Sequence, residues 1–159
     1  MASAATVWLA VAATALGGIL AGGSFDRAVV QLPAWQRLGA GPWAAYSRLA
    51  DLRVGVVLYP IVGLGAPILS LAAAAAFFLG GGEPRGAAIP LVSAAALSVG
   101  HVFTTSRAAP NMLRLRHTDD PDIVQRSLSG FERWSAPRAA LQVLTFAANL
   151  WALVAVLGP

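Results

Sequence analysis

Two short polar series interrupt otherwise apolar stretches of this chain, and both repeat at helical spacing. Ser98, His101 and Thr105 fall three and four residues apart, with Thr104 alongside, and Arg138, Gln142, Thr145 and Asn149 repeat the pattern further on. Residues so spaced share one face of a helix. A polar face on an apolar helix is costly against hydrocarbon, so it belongs toward other helices or a cavity. The chemistry on offer is that of a histidine near an arginine. His101 can act as a general base, a proton relay or a metal ligand. Arg138 can hold an enolate, phenolate or carboxylate. The plainer alternative is a neutral histidine hydrogen-bonded inside helix packing, with arginines that reach out of the apolar layer.

The elements that must position these groups follow from composition. The chain has 159 residues, of which 57% are hydrophobic and 11% charged, with a mean hydropathy of +0.68. A water-soluble domain of this length could not hide that much apolar surface, so the bilayer is the natural solvent. A spanning helix needs roughly 20 apolar residues. Four stretches qualify, at about 5–25, 54–79, 87–106 and 138–157. The expectation is one all-α domain over 1–159, an integral membrane four-helix bundle with short interfacial helices in its connections. The first stretch lacks a basic segment ahead of it and reads as a retained span rather than a cleaved signal.

Charge distribution orients the spans. All 11 basic residues are arginine. Arg27, Arg37, Arg48 and Arg53 belong to the first connection, and Arg107, Arg114, Arg116, Arg126, Arg133 and Arg138 to the third. Arg85 alone marks the second. The positive-inside rule therefore predicts cytoplasmic long connections and both termini outside. In the first connection Pro33 and Pro42 punctuate a segment carrying Trp35, Trp43 and Tyr46, which suits short helices at the membrane surface. In the third, Asp120 before Pro121 predicts an N-cap and a helix from Pro121 to about Trp134. Ser135 is then expected to cap a separate last span, with Pro137 in its first turn.

Depth along the helices brings the two polar series together. From a third span ending near Ser106, His101 lies roughly 8 Å inside that end, and Gln142 and Thr145 lie roughly 6 and 10 Å inside the antiparallel last span. Small residues at four-residue spacing, Gly18 with Gly22 and Gly55 and Gly63 around Tyr59, predict close helix approach, as does the Ala72–Ala76 run. Tyr59 adds a hydroxyl near the same end of the second span.

Metal sites receive little encouragement. The chain has no cysteine and only two histidines, His101 and His117. His101, Asp26 and Glu132 lack the helical spacing of metal motifs. No cofactor is favoured, and a metal or haem at His101 is the minority alternative.

The layout resembles the small four-span proteins of the DUF1772 group, which include anthrone oxygenase-like proteins of aromatic polyketide pathways. The resemblance rests on Phe25 to Pro33 after the first span, on Thr104, Thr105, Pro110 and Asn111 at the exit of the third, and on Trp134 four residues before Arg138. It departs where relatives often carry asparagines around the proline, here Ala108 and Met112, and at Ser135, where they often carry Asn or His. The resemblance implies an oxidoreductase, a monooxygenase acting on a flat lipophilic phenol-like substrate. It assigns His101 as base and Arg138, with Gln142 or Asn111, as oxyanion support. Trp43, Tyr46, Phe103 and Trp134 would be aromatic walls. Tyr59, Thr105, Thr145 and Asn149 would complete the polar lining.

The resulting expectation is base-assisted reaction of an anthrone-type substrate with dioxygen. Its alternatives are a non-catalytic membrane subunit or assembly factor, and a small transporter component. The expected partners are the lipid bilayer and a lipophilic small molecule, with homo-oligomer formation open through the small-residue faces. No nucleic acid is expected.

Overall fold

The structure, a computed structural model, describes residues 2–158. Every regular element among the described residues is helical: α1 (Ala4–Asp26), α2 (Leu32–Leu38), α3 (Ala40–Leu49), α4 (Gly55–Leu79), α5 (Ala88–Arg114) and α6 (Pro121–Leu157). Two π-helical turns, Arg27–Gln31 and Ala50–Val54, carry α1 into α2 and α3 into α4. The first connection is thus continuous helix broken at Gly39. Its φ of +93° lies in the left-handed region that glycine occupies without a Cβ penalty. Four helical stretches, Ala4–Leu38, Ala40–Leu79, Arg85–Arg114 and Pro121–Leu157, are long and apolar enough to cross a membrane.

Two helix boundaries differ from expectation. α5 does not end near Ser106 but runs through Pro110 to Arg114. α6 is one helix from Pro121 to Leu157, so Ser135 caps nothing; its hydroxyl donates to the Phe131 carbonyl, 2.9 Å away. An internal proline removes one helix hydrogen bond. Packing outweighs that loss here. Ala108, Met112 and Leu115 of the α5 end and Val124, Leu128 and Phe131 of the α6 start bury together against Leu32, Trp35 and Trp43. The expected N-cap is present, with Asp120 Oδ1 accepting from the Asp122 and Ile123 amides at 2.8 and 3.4 Å.

α1 packs on α4 and α6, and α5 packs on α4 and α6. Glycine explains the closest approaches. A Cβ at Gly18 would stand 3.1 Å from the Phe146 ring, and one at Gly65 3.3 Å from Leu16. Gly22 and Gly63 face open space instead, so only part of the small-residue spacing makes helix contacts. Ala73 and Ala74 of the alanine run are buried, together with Ala10, Phe77, Leu91, Ala152 and Val156.

Polarity is arranged from end to end. The Trp35–Trp43–Phe131 cluster closes one end and the Phe77–Leu91 cluster the other. Between them the buried residues include Ser70, Ser98, His101, Thr104, Gln142, Thr145 and Asn149. Large apolar side chains such as Trp8, Ile19, Ile61, Ile68 and Phe78 point outward. A polar middle with an apolar exterior is the distribution expected when the surroundings are lipid.

Candidate functional site

Helix register brings four polar residues to one level. On α5 and α6, a Cβ at Gly100 would stand 3.6 Å from Leu141, and the Phe103 and Trp134 rings lie 6.2 Å apart. This antiparallel register sets His101 opposite Ala140, between Arg138 and Gln142. On α1 and α6, a Cβ at Gly17 would stand 3.9 Å from Asn149 Nδ2, which sets Arg27 opposite Arg138. On α4 and α6, Ser70 bonds Asn149; three turns back on both helices stand Tyr59 and Arg138. Each long helical stretch therefore contributes one polar side chain: Arg27, Tyr59, His101 and Arg138.

The half of this layer nearest α1 and α4 is paired through Asp51 Oδ1, while Asp51 Oδ2 is buried without a partner among the described residues. The Arg27 guanidinium forms a buried salt bridge with Asp51 and donates to the Tyr59 hydroxyl at 3.1 Å, while Tyr59 donates to Asp51 Oδ1 at 3.2 Å. The Arg27 cation also lies over three rings, 5.6 Å from Trp35, 5.2 Å from Tyr59 and 5.8 Å from Phe131. Aromatic faces attract such a cation electrostatically, which helps to hold a guanidinium that is buried within the protein. The π-helical turns matter because Arg27 starts one and Asp51 lies in the other. Such turns recur at functional sites in helices.

The half nearest α5 and α6 is not paired. His101 Nε2, Arg138 Nε and Gln142 Oε1 are buried and have no hydrogen-bond partner among the described residues; the same holds for Asp51 Oδ2, Ser98 Oγ and Thr105 Oγ1. Arg138 lies 5.1 Å from the Phe131 centroid, so one ring carries both arginines. Among the described residues Arg138 takes part in no salt bridge, whereas Arg27, Arg48 and Arg85 do. Unpartnered polar atoms at such depth are expensive and mark places where a ligand or water completes the bonding.

The other residues predicted for the site are distributed more widely. Thr145 bonds its own helix through the Leu141 carbonyl at 2.7 Å. Asn149 and Ser70 join α6 to α4 by reciprocal bonds of 2.9 and 3.1 Å, about 16 Å along α6 from Arg138. Trp43 is fully buried beside Phe131, at a centroid distance of 6.2 Å, and so borders the layer from the apolar side. Tyr46 is half exposed and contacts Trp35. Phe103 and Trp134 pair edge to face, and Trp134 also packs against the Trp43–Phe131 cluster. Asn111 donates to the Arg107 carbonyl at 3.1 Å and fills the space beside Gly130. The predicted aromatic residues therefore form one connected series, Tyr46 through Trp35 to Trp43 and through Trp134 to Phe103.

Arg27, Asp51, Trp35 and Phe131 were not among the predicted site residues. The signal for Phe131 was present: it lies two turns before Arg138 on the same helix face. Arg27 and Asp51 each look like ordinary span-end charges, and only tertiary packing joins them. His101, Asp26 and Glu132 do not assemble; no group of metal-ligating side chains occurs among the described residues.

Two recesses lie elsewhere. One of about 330 Å³ is bordered by Ala40, Ala44, Arg48, Asp119, Pro121 and Val124. The other, of about 480 Å³, runs between Phe25 at the end of α1, Ala28 and Val29 in the π-helical turn after it, and Ala136, Ala140 and Val143 on α6, on the face of α6 opposite Arg138 and Gln142. Comparison with protein-family models, with curated proteins and with solved structures gave no match to this chain.

Proposed function

We propose that this chain is a multi-pass membrane protein, a four-helix bundle with α2 and α3 at the cytoplasmic interface and both termini outside. We propose further that it is a membrane-embedded oxygenase-like enzyme for a lipophilic aromatic carbon acid of the anthrone type. The arginine distribution and the apolar exterior support the first statement. One observation carries the second: His101 Nε2, Arg138 Nε and Gln142 Oε1 are buried at one level without partners. That set supplies a base, a fixed cation and a polar acceptor in surroundings where electrostatic interactions are strong.

The reaction follows from these roles. His101 takes a proton from the acidic ring CH₂, and Arg138 holds the charge that moves onto the substrate oxygen. The carbanion donates electrons to dioxygen, and a carbon–oxygen bond forms to give a peroxide. Loss of the second hydrogen of that carbon as a proton breaks the oxygen–oxygen bond. The carbon becomes a carbonyl, and the other oxygen leaves as water with two protons, the one that His101 returns to the peroxide and the one just lost from carbon. Carbon loses four electrons and dioxygen gains four, so no further reductant is required.

The test is dioxygen uptake by the detergent-purified protein given anthrone, with His101→Ala run alongside. Uptake that falls at least about a hundredfold in the variant supports the base, since positioned general bases contribute about 10²–10⁴ in rate. Full activity in the variant removes His101 from the role. A second reading, a non-catalytic membrane subunit, is favoured by the reciprocal Ser70–Asn149 and Arg27–Asp51–Tyr59 pairings, which serve helix association. Absence of uptake by a folded sample would favour that reading.

A further inference from the structure

The charges in the polar layer do not balance. Arg27 and Arg138 share the Phe131 ring, and Asp51 is the carboxylate bonded within the layer. Asp26, near in sequence, is exposed and accepts from Gln31 Nε2 at 2.6 Å. With His101 counted as neutral, the layer holds one positive charge in excess, and that charge is not on Arg27. Arg27 is bonded by Asp51 and Tyr59, while Arg138 has a buried, unpartnered Nε. Charged groups at such depth pair with one another or mark a ligand path.

We infer that the layer is a receptor for one monoanionic group on a lipophilic ligand, with Arg138 as the arm that meets it and Asp51 as the residue that sets its preference for a single charge. This deepens the proposed function by naming the charge of its ligand, and it rests on the same site without requiring catalysis. Asp51 acts through Arg27. By cancelling that cation it leaves a surplus of one, so a monoanion neutralises the site and a dianion overshoots. Unpartnered donors at Arg138 and, in one tautomer, His101 supply hydrogen bonds to such an oxyanion. Gln142 Oε1 is an acceptor and favours a ligand that also carries a hydroxyl or N–H.

The experiment compares probes of one shape and three charges on the full chain in phosphatidylcholine nanodiscs. 2-Naphthol is neutral and 2-naphthyl sulfate is a monoanion. 2-Naphthyl phosphate is a dianion at about pH 8, well above its second ionisation near 6. Binding is read from naphthyl fluorescence, with protein-free discs subtracted. The wild type should bind the sulfate at least about tenfold tighter than either other probe, a modest expectation for one unit charge at short range in a partly dry site. Arg138→Gln should remove the advantage of the sulfate over 2-naphthol. Asp51→Asn should invert the order and favour the phosphate, a change that a purely structural role for Asp51 would not produce.

Arg27→Gln/Asp51→Asn keeps the charge count and should keep the preference for the sulfate. It provides the test if the single Asp51 variant does not fold. A wild type that binds the sulfate no better than 2-naphthol overturns the inference. So does an unchanged order in folded Asp51→Asn, or loss of the preference for the sulfate in the double variant. Repeating the titration with phosphatidylglycerol in the discs identifies the source of the anion. About tenfold weaker apparent sulfate binding supports the site with a lipid headgroup as resident, and unchanged binding supports it with a free lipophilic acid. None of these probes is a carbon acid of the anthrone kind. Absence of dioxygen uptake would therefore remove the oxygenase reading and leave this result standing.

Discussion

Replacing Asn149 by alanine separates helix packing from the site more sharply than any change in the polar layer. Asn149 is 2% exposed, and its amide donates to Ser70 Oγ at 2.9 Å while its carbonyl accepts from the same hydroxyl at 3.1 Å. An interhelical bond of this kind contributes about 0.6–1.7 kcal/mol. Truncation also empties a packed position beside Gly17, for roughly 1–2 kcal/mol, between the losses seen for one deleted methylene and for a leucine cut to alanine. Ser70 is not left orphaned, because its single hydroxyl hydrogen can then point wholly to the Ala66 carbonyl, 3.0 Å away. The expected destabilisation is therefore about 2–3 kcal/mol. Ser70→Ala removes one atom yet should destabilise by a similar amount, since the buried Asn149 amide then lacks its partner, at about 1–3 kcal/mol. Asn149→Leu fills the space and should lose only about 1 kcal/mol. Reversible unfolding with dodecyl sulfate in mixed micelles, followed by tryptophan fluorescence, measures all three. Asn149→Ala within about 0.5 kcal/mol of wild type would refute the reasoning. So would a variant of wild-type stability that loses binding of 2-naphthyl sulfate, because Asn149 would then belong to the ligand rather than to Ser70.

Three further outcomes follow from the packing. Phe131→Leu removes the ring shared by Arg27 and Arg138 and should destabilise by about 2–4 kcal/mol in the same titration, from lost packing and two cation–π contacts. Gly130→Ala brings a Cβ against the far end of the Asn111 side chain, which can turn away, so it should stay within about 1 kcal/mol of wild type; Gly130→Ala/Asn111→Ala should be more stable than Gly130→Ala alone, a coupling that a double-mutant cycle reads directly. Arg48→Ala should destabilise by about 1–2 kcal/mol because Arg48 Nε donates to the Leu115 carbonyl at 3.1 Å and a second nitrogen to Thr118, whereas Asp119→Asn should stay within about 0.5 kcal/mol because that carboxylate is 93% exposed.

Composition and periodicity alone determined the helical class, the four apolar stretches and the polar helix faces that carry His101 on α5 and Arg138 and Gln142 on α6. Each of these is a local property. A helical face is set by spacing within one segment, and span length by the run of apolar residues. Local signals also located the Asp120 cap. They misplaced the C-terminal end of α5, because the apolar run stops near Ser106, and the start of the last helix, because Ser135 and Pro137 read as a boundary in isolation. Tertiary burial of Met112, Leu115 and Phe131 outweighs one lost hydrogen bond at each of Pro110 and Pro137.

Tertiary structure alone decided which polar residues act together. Arg27 and Asp51 stand 24 positions apart in the chain and look like separate span-end charges. They meet because two π-helical turns and the α1–α4 packing bring them under Tyr59. The stripe from Arg138 to Asn149 looks uniform along the sequence, yet it divides in space. Asn149 is satisfied by Ser70 on another helix, and Thr145 by its own backbone, while Arg138 and Gln142 carry buried atoms without a hydrogen-bond partner among the described residues. Spacing reveals which face a side chain occupies. Whether it finds a partner there depends on the residue that a distant segment places opposite, and only folding brings that segment in.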